Sequence, residues 1–294
     1  MTEDHSVGVG YGARIVPVDT LRRSSLREVD TSASEPEPLR IGRPVLSPGV
    51  VADRLALAHW PWGHQIVVCS LGGGVGRTTV SGLLATALAE LPYAHIWPPI
   101  ALHETSTRPL SPTPRRWDLV STDDSLSELC TRSGAWAFTT GQRPAQREDF
   151  SVIVVDATAG LPCDQEPVSG DPAASVVLVV RPDRASLAEA AEALVWMHDR
   201  HLVPRQRIVA LINDGVGRSD AGSRAAATGL WTRCVAVHRL PFHSTLGPGR
   251  VLPSGHDLPT RLRRVLQRTA LDLWGTAVAR SPIGCNPLNQ GALS

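Results

Sequence analysis

The 294-residue sequence carries 29 basic against 28 acidic side chains, a formal net charge of +1, and is 42% hydrophobic. That is enough chain for one large α/β domain or two small ones with a substantial core, and the even charge balance argues against a protein coated in positive charge for nucleic acid. Every one of the 29 basic residues is arginine and lysine is absent, so any site that depends on a lysine ammonium has lost its usual residue. Cys69, Cys130, Cys163, Cys234 and Cys285 are an odd number without C-x-x-C spacing, which argues against a disulfide framework or a zinc site. No leading apolar core with basic flanks marks a secretory signal, and no apolar run approaches the roughly 18–20 residues of a membrane helix. A soluble, cytoplasmic protein is expected.

Residues 1–50 are rich in Ser, Pro, Glu and Arg and poor in periodic pattern, as in Ser34-Glu35-Pro36-Glu37-Pro38. Such a segment buries too little apolar surface to offset its ordering entropy, so a loosely docked arm is expected, with Ala13–Val18 available as an edge strand. The folded domain is expected over 51–280. Its first strand is Gln65–Ser70, followed by glycines and a helix over Thr78–Leu91. Residues 92–146 contain Pro92, Pro98, Pro99, Pro109, Pro112 and Pro114 and are read as irregular, with a helix-like stretch at Asp124–Arg132. Strands follow at Ser151–Asp156, Ala174–Val180, Arg207–Ile212 and Arg233–His238, with a helix from about Ser186 to Arg200 between the second and third of these. Leu262, Val265, Leu266, Leu273 and Trp274 recur at helical spacing in a last helix over about Leu258–Arg280. A flexible Pro/Gly/Asn-rich tail is expected over 281–294.

Continuous β-branched runs bounded by turns and separated by helices indicate a mostly parallel sheet covered on both faces, a doubly wound α/β fold. Such a fold works at the carboxyl ends of its strands. Trp60, Trp62 and His64 precede the first strand and are expected to pack at the opposite end of the sheet or to tie down the N-terminal arm.

The chemistry concentrates in Gly72-Gly73-Gly74-Val75-Gly76-Arg77-Thr78-Thr79, between a strand and a helix. Glycines let successive N–H groups point inward, and the helix N-terminus adds partial positive charge, which together make a cradle for an anion such as a phosphate. Thr78 stands where a phosphate loop places a hydroxyl on Mg²⁺. A plain turn would not need four glycines in five positions, because each costs chain entropy.

This stretch resembles the deviant Walker A sequence KGGVGKTT of the MinD/ParA family of P-loop ATPases, and the similarity continues in order over about Gln65 to Ala279. Ser151–Gly160 looks like the family's Walker B strand ending in D-x-x-x-G. The resemblance implies that Asp156 holds Mg²⁺ through water and that Gly160 offers its N–H near a γ-phosphate. It places Asn213 where the family contacts adenine and Pro241 where the purine-side loop begins. It implies ATP or ADP with Mg²⁺ as cofactor and a nucleotide-dependent homodimer. It further implies a protein partner within a larger bacterial machine for positioning, partition, secretion or conjugation. Taken by themselves, Asp156 could equally cap the turn after its strand, and Asn213-Asp214-Gly215 is a good turn in its own right.

Three departures separate the sequence from that family. The general loop lysine is Arg77, longer, planar and forked, so the exchange is not conservative. The family's signature lysine falls on Gly72. The second strand, placed at about Ala94–Pro99, lacks the family's carboxylate, and nothing identifies the nearby His103 and Glu104 as replacements. Phosphoryl transfer is catalysed mainly by positioned charge and oriented water, so binding is expected to outlast hydrolysis.

The expected function is therefore an ATP/Mg²⁺-dependent switch with weak or no hydrolysis. Two readings stand beside it: a pseudo-ATPase adaptor that binds no nucleotide, and an active ATPase in which Arg77 replaces the lysine. Arg261, Arg264 and Arg268, with Arg263, form a basic stripe on the last helix, suited either to solvent or to non-specific contact with DNA phosphates. The tail has neither a basic run nor an apolar stripe to anchor the chain on a membrane.

Overall fold

Strands rich in Val, Ile and Leu, buried on both faces, build the centre of the molecule. The structure is a computed structural model. It describes residues 47–56, 58–91, 99–105, 117, 119–121, 129–131, 135–138, 149–247, 250, 252–253 and 257–278, all within the unit Leu46–Ser294. The strands in chain order are β1 (His64–Ser70), β2 (Ile100–Glu104), β3 (Leu119–Ser121), β4 (Leu129–Thr131), β5 (Trp136–Phe138), β6 (Val152–Ala159), β7 (Ser175–Val180), β8 (Ile208–Asn213) and β9 (Ala236–Leu240). The helices are α1 (Pro48–Ala56), α2 (Arg77–Ala89), a short α3 (Glu166–Gly170), α4 (Arg184–Asp199), α5 (Ser223–Trp231) and α6 (Thr260–Val278).

They assemble one nine-stranded sheet in the order β3-β4-β5-β2-β6-β1-β7-β8-β9. The seven strands from β5 to β9 along that order are parallel, while β4 runs antiparallel between β3 and β5. The doubly wound α/β fold expected from the sequence is thus the fold observed, extended at one edge by an antiparallel pair. Side chains alternate between the two faces, as the period of a strand demands. Ile66 and Val68 join the core under α2 and α6, whereas Val67 and Cys69 join the core under α4 and α5. β1 has β6 on one side and β7 on the other, with β2 beyond β6. The chain reverses its direction of winding at β1, and the loop leaving β1 lies at that reversal, where ligands bind in open α/β sheets.

Several boundaries differ from the sequence reading. The second-strand place next to β6 is held by Ile100–Glu104. The expected location, Ala94–Pro99, lies outside the described residues except for Pro99. Part of the helix-like stretch Asp124–Arg132 is the strand β4; its residues 124–128 and 132 lie outside the described residues. Leu129-Cys130-Thr131 finds partners in β3 and β5, and such pairing overrides a weak local helical pattern. β9 begins at Ala236, so Arg233 and Cys234 belong to the turn before it. β6 continues three residues past Asp156. The arm up to residue 46, including Ala13–Val18, and the tail 281–294 lie outside the described residues.

The end opposite the glycine loop is closed by packing. His64 is buried, its Nε2 lies 3.0 Å from Ser175 Oγ, and its ring meets Trp60 at 5.6 Å. Trp62 is exposed instead. Arg207, also buried, donates from Nε to the Ala174 carbonyl at 2.6 Å and from Nη2 to the Asp171 carbonyl at 3.0 Å.

Candidate functional site

Gly76 is the hinge of the glycine loop. It sits at φ +84° and ψ 21° at the N-terminus of α2, and Gly74 has φ +73°, conformations that residues with a Cβ adopt only under strain. A Cβ on Gly76 would lie 2.3 Å from Asn213 Nδ2. That closeness has a cause: the Asn213 amide donates to the Val75 carbonyl at 2.9 Å, while its Oδ1 accepts from Gly215 N–H at 3.0 Å. Asn213, placed by resemblance against adenine, is here a buried strut between the end of β8 and the glycine loop. Pro241 follows β9 directly, beside Asn213 through the Asn213–Leu240 register, and exposed Phe242 comes next.

Gly72, Gly73 and Gly74 face open space, with nothing within 4 Å of the position a Cβ would take. Among the described residues, the N–H groups of Gly73, Gly74, Gly76, Arg77 and Thr78 have no acceptor within the protein. They are the orphan donors expected where a loop enters a helix, and with the helix dipole they favour an anion. Val75 is buried beneath them, and Thr79 faces inward from the first turn of α2.

The polar floor of the loop is a cluster around Asp156. Arg77 donates from Nε to Asp156 Oδ1 at 2.9 Å; the two side chains are 20% and 2% exposed. Thr78, the next residue, also acts to hold this carboxyl's pKa down. Ser81 Oγ lies 3.3 Å from Asp156 Oδ1 and 3.1 Å from the Arg77 carbonyl, two acceptors for its single proton. Burial pushes the Asp156 carboxyl above the ordinary carboxylate range, and the Arg77 guanidinium opposes that shift. The two residues assigned to Mg²⁺ by resemblance, Thr78 and Asp156, are thus close together, but the Asp156 carboxylate is already bonded to Arg77. Among the described residues, no group of three or more His, Cys, Asp or Glu is arranged to hold a metal.

The structure places a second carboxylate here that the sequence reading passed over. Glu104 ends β2, is 3% exposed, and stands in register with Asp156 on the neighbouring strand. Partners in register on parallel strands point to the same face, so both carboxylates face α2. The expectation that the second strand ends without a carboxylate is thereby overturned. The misplacement has a simple origin: the Pro98-Pro99 pair precedes the strand rather than ending it, and the apolar run Ile100-Ala101-Leu102 was the signal. Ser81 was also missed, although its four-residue spacing from Arg77 puts both on one helix face. Trp117, which donates from Nε1 to the Thr78 carbonyl at 3.2 Å, gave no signal in the sequence.

Gly160 lies at the far end of β6, and its N–H donates to the Ser70 carbonyl at 2.8 Å. β1 and β6 thus stay joined through Ser70 and Ala159, past a register shift. The basic stripe on α6 divides: Arg261 and Arg264 are exposed, whereas Arg263 and Arg268 are partly buried, and Arg263 donates from Nη2 to the Leu258 carbonyl. Among the described residues, no helix is long and apolar enough to cross a membrane.

No protein-family profile matches the sequence, and no characterised protein matches it at the sequence level. Solved structures do match in three dimensions. The cell division ATPase MinD of Pyrococcus furiosus matches with a TM-score of 0.50 at 16% identity, over 74% of this chain and 100% of its own. The MinC:MinD cell division complex of Aquifex aeolicus matches with a TM-score of 0.50 at 16% identity, over 74% of this chain and 97% of that one. Likeness at this level of identity is likeness of fold, and with the glycine loop at the winding reversal it gives this chain the α/β fold of the P-loop NTPases, as seen in MinD.

Proposed function

We propose that this chain binds a nucleoside di- or triphosphate through the main-chain N–H groups of Gly72–Thr79, and that it hydrolyses it weakly or not at all. The observation that carries this reading is the row of N–H groups at Gly73, Gly74, Gly76, Arg77 and Thr78 without an acceptor among the described residues, at the N-terminus of α2, with open space beside Gly72, Gly73 and Gly74. Phosphate oxygens are the partners that such a cradle fits. Asn213 fixes the loop from beneath, and the edge formed by Pro241 and Phe242 offers an apolar side for a base. Weak hydrolysis follows from the basic residue of the loop: Arg77 is bound to Asp156 rather than aimed at the place where a leaving phosphate would gain charge. Arg77 as a working substitute for the lysine of an active ATPase would need it to leave that pair.

The expected Mg²⁺ would be held by the Thr78 hydroxyl and, through water, by Asp156, and would supply charge neutralisation at the phosphates. The phosphate cradle suits its ligand, but the donors already converging on Asp156 do not favour this ion. A switch role, a homodimer and a protein partner belong to the same reading: the Aquifex aeolicus MinD is seen with MinC, and by analogy of fold this chain would serve a larger assembly.

The test is a titration of fluorescent ADP and ATP analogues against the wild type and Gly73→Asp. That substitution puts a carboxylate into open space at a glycine without positive φ, so the fold should persist. Binding by the wild type that weakens by at least about tenfold in the variant is expected from like-charge repulsion at a phosphate. Equal binding by both, or none by the wild type, would refute the reading.

A second reading, an adaptor that binds no nucleotide, is favoured by one observation. The Gly160 N–H, the group expected to sense a γ-phosphate, is engaged by the Ser70 carbonyl. This reading expects no saturable signal with either nucleotide.

A further inference from the structure

Arg77 opens α2, and its side chain turns back to the sheet. Its Nε reaches Asp156 Oδ1 at 2.9 Å, and the carboxylate it meets is 2% exposed. The same carboxylate has Ser81 Oγ at 3.3 Å. A divalent cation using Thr78 and Asp156 would have to displace the guanidinium or bring two positive charges beside it. Either change is unfavourable in a buried place, where charges are poorly screened. The N–H groups of the loop need neither, because they take an anion without using Asp156.

We propose that Arg77 is the resident counter-ion of Asp156 and excludes a divalent cation from it, so that the loop takes a nucleoside polyphosphate, or pyrophosphate itself, without metal. This rests on the phosphate-binding reading above and fixes the charge state of its ligand. The basic residue of the loop then has an inverted role: it occupies the metal's place instead of supporting the metal-bound ligand. An arginine suits this role because its forked, planar, permanently charged head can bond one carboxylate while remaining partly in solvent. Its side chain is 20% exposed.

Three measurements test the proposal. Calorimetric titration of the wild type with ADP and with pyrophosphate, in excess EDTA and then in excess Mg²⁺, should give affinities within about threefold of each other. A Mg²⁺ preference above about tenfold in the wild type would overturn it; this arm needs no substitution and stands whatever the variant does. In Arg77→Gln, whose amide nitrogen stands as many bonds from the backbone as the arginine Nε but carries no charge, ADP affinity should become dependent on Mg²⁺ by at least about tenfold. An unchanged ratio in a folded variant would overturn the proposal while leaving phosphate binding intact. Mn²⁺ alone, followed by the loss of its free-ion electron paramagnetic resonance signal, should bind Arg77→Gln and not the wild type; binding by both would refute exclusion. Binding of Mg²⁺·ADP by the variant with no binding of either ligand by the wild type would support the exclusion and refute the phosphate-binding reading. The absence of all binding in both proteins would refute both.

Discussion

Gly76 and Gly72 lie four positions apart in one loop and answer to different constraints. Gly76 holds φ +84°, and a methyl group there would overlap the Asn213 amide that ties the loop to β8. Gly76→Ala should destabilise the protein by roughly 1–3 kcal/mol, measured by urea unfolding, with the loop released from Asn213. Gly72→Ala, which meets nothing within 4 Å, should stay within about 0.5 kcal/mol of the wild type. His103 lies on the opposite side of β2 from Glu104. Burial holds its pKa below the ordinary 6.5, while Glu104 and Glu166 pull it upward. The unfolded chain therefore takes up this proton more readily. The stability His103 contributes is complete above pH 6.5 and is lost as pH falls from there through the lowered folded value. Unfolding midpoints across that window should fall with pH in the wild type and fall less in His103→Asn. Burial likewise raises the Cys69 thiol to about 12 and the Cys234 thiol to about 12. Both should resist thiol labelling in the folded state and react on unfolding, as peptide mapping by mass spectrometry would show.

At the scale of elements, helix starts show where local chemistry suffices. Asp183 ends the turn after β7, and its Oδ1 accepts the Ser186 N–H at 2.9 Å as the N-cap of α4. That hydrogen bond is the leading cause of its lowered pKa. Asp183→Ala should cost about 0.5–2 kcal/mol, read as a lowered unfolding midpoint, and should leave the glycine loop untouched. α2 lacks a side-chain cap altogether; its first turn offers uncapped donors, as a phosphate site requires. The helix expected from about Ser186 begins at Arg184, two residues earlier. β2 was not legible in the same way, because its five residues, Ile100–Glu104, follow two prolines in a stretch without periodic pattern. What makes it a strand is β6 alongside, and that neighbour brings Glu104 level with Asp156. β3, β4 and β5 are three residues each, too short for any periodicity to declare itself.

For the whole molecule, ligand binding and stability are linked. A polyphosphate that binds only the folded state stabilises it by about 2.7 kcal/mol at a hundredfold excess over its dissociation constant. For a domain of this size that corresponds to a rise in melting temperature of roughly 5–10 °C. Differential scanning fluorimetry with ADP or pyrophosphate should show such a rise for the wild type and little for Gly73→Asp. No shift with either ligand would speak for the adaptor. The sequence by itself determined the winding of the molecule: β1, β6, β7 and β8 are apolar runs long enough to be recognised, and four glycines between β1 and α2 mark a glycine-rich loop at the reversal of the sheet. Those features are local, written in consecutive residues whose burial period or backbone freedom has one reading. Which side chains meet beneath the loop was decided only in three dimensions. Arg77 and Asp156 stand 79 residues apart in the chain, and Asn213 and Val75 stand 138 apart. Strand register, rather than any spacing in the sequence, brought Glu104 beside Asp156 and turned the loop's only positive charge inward.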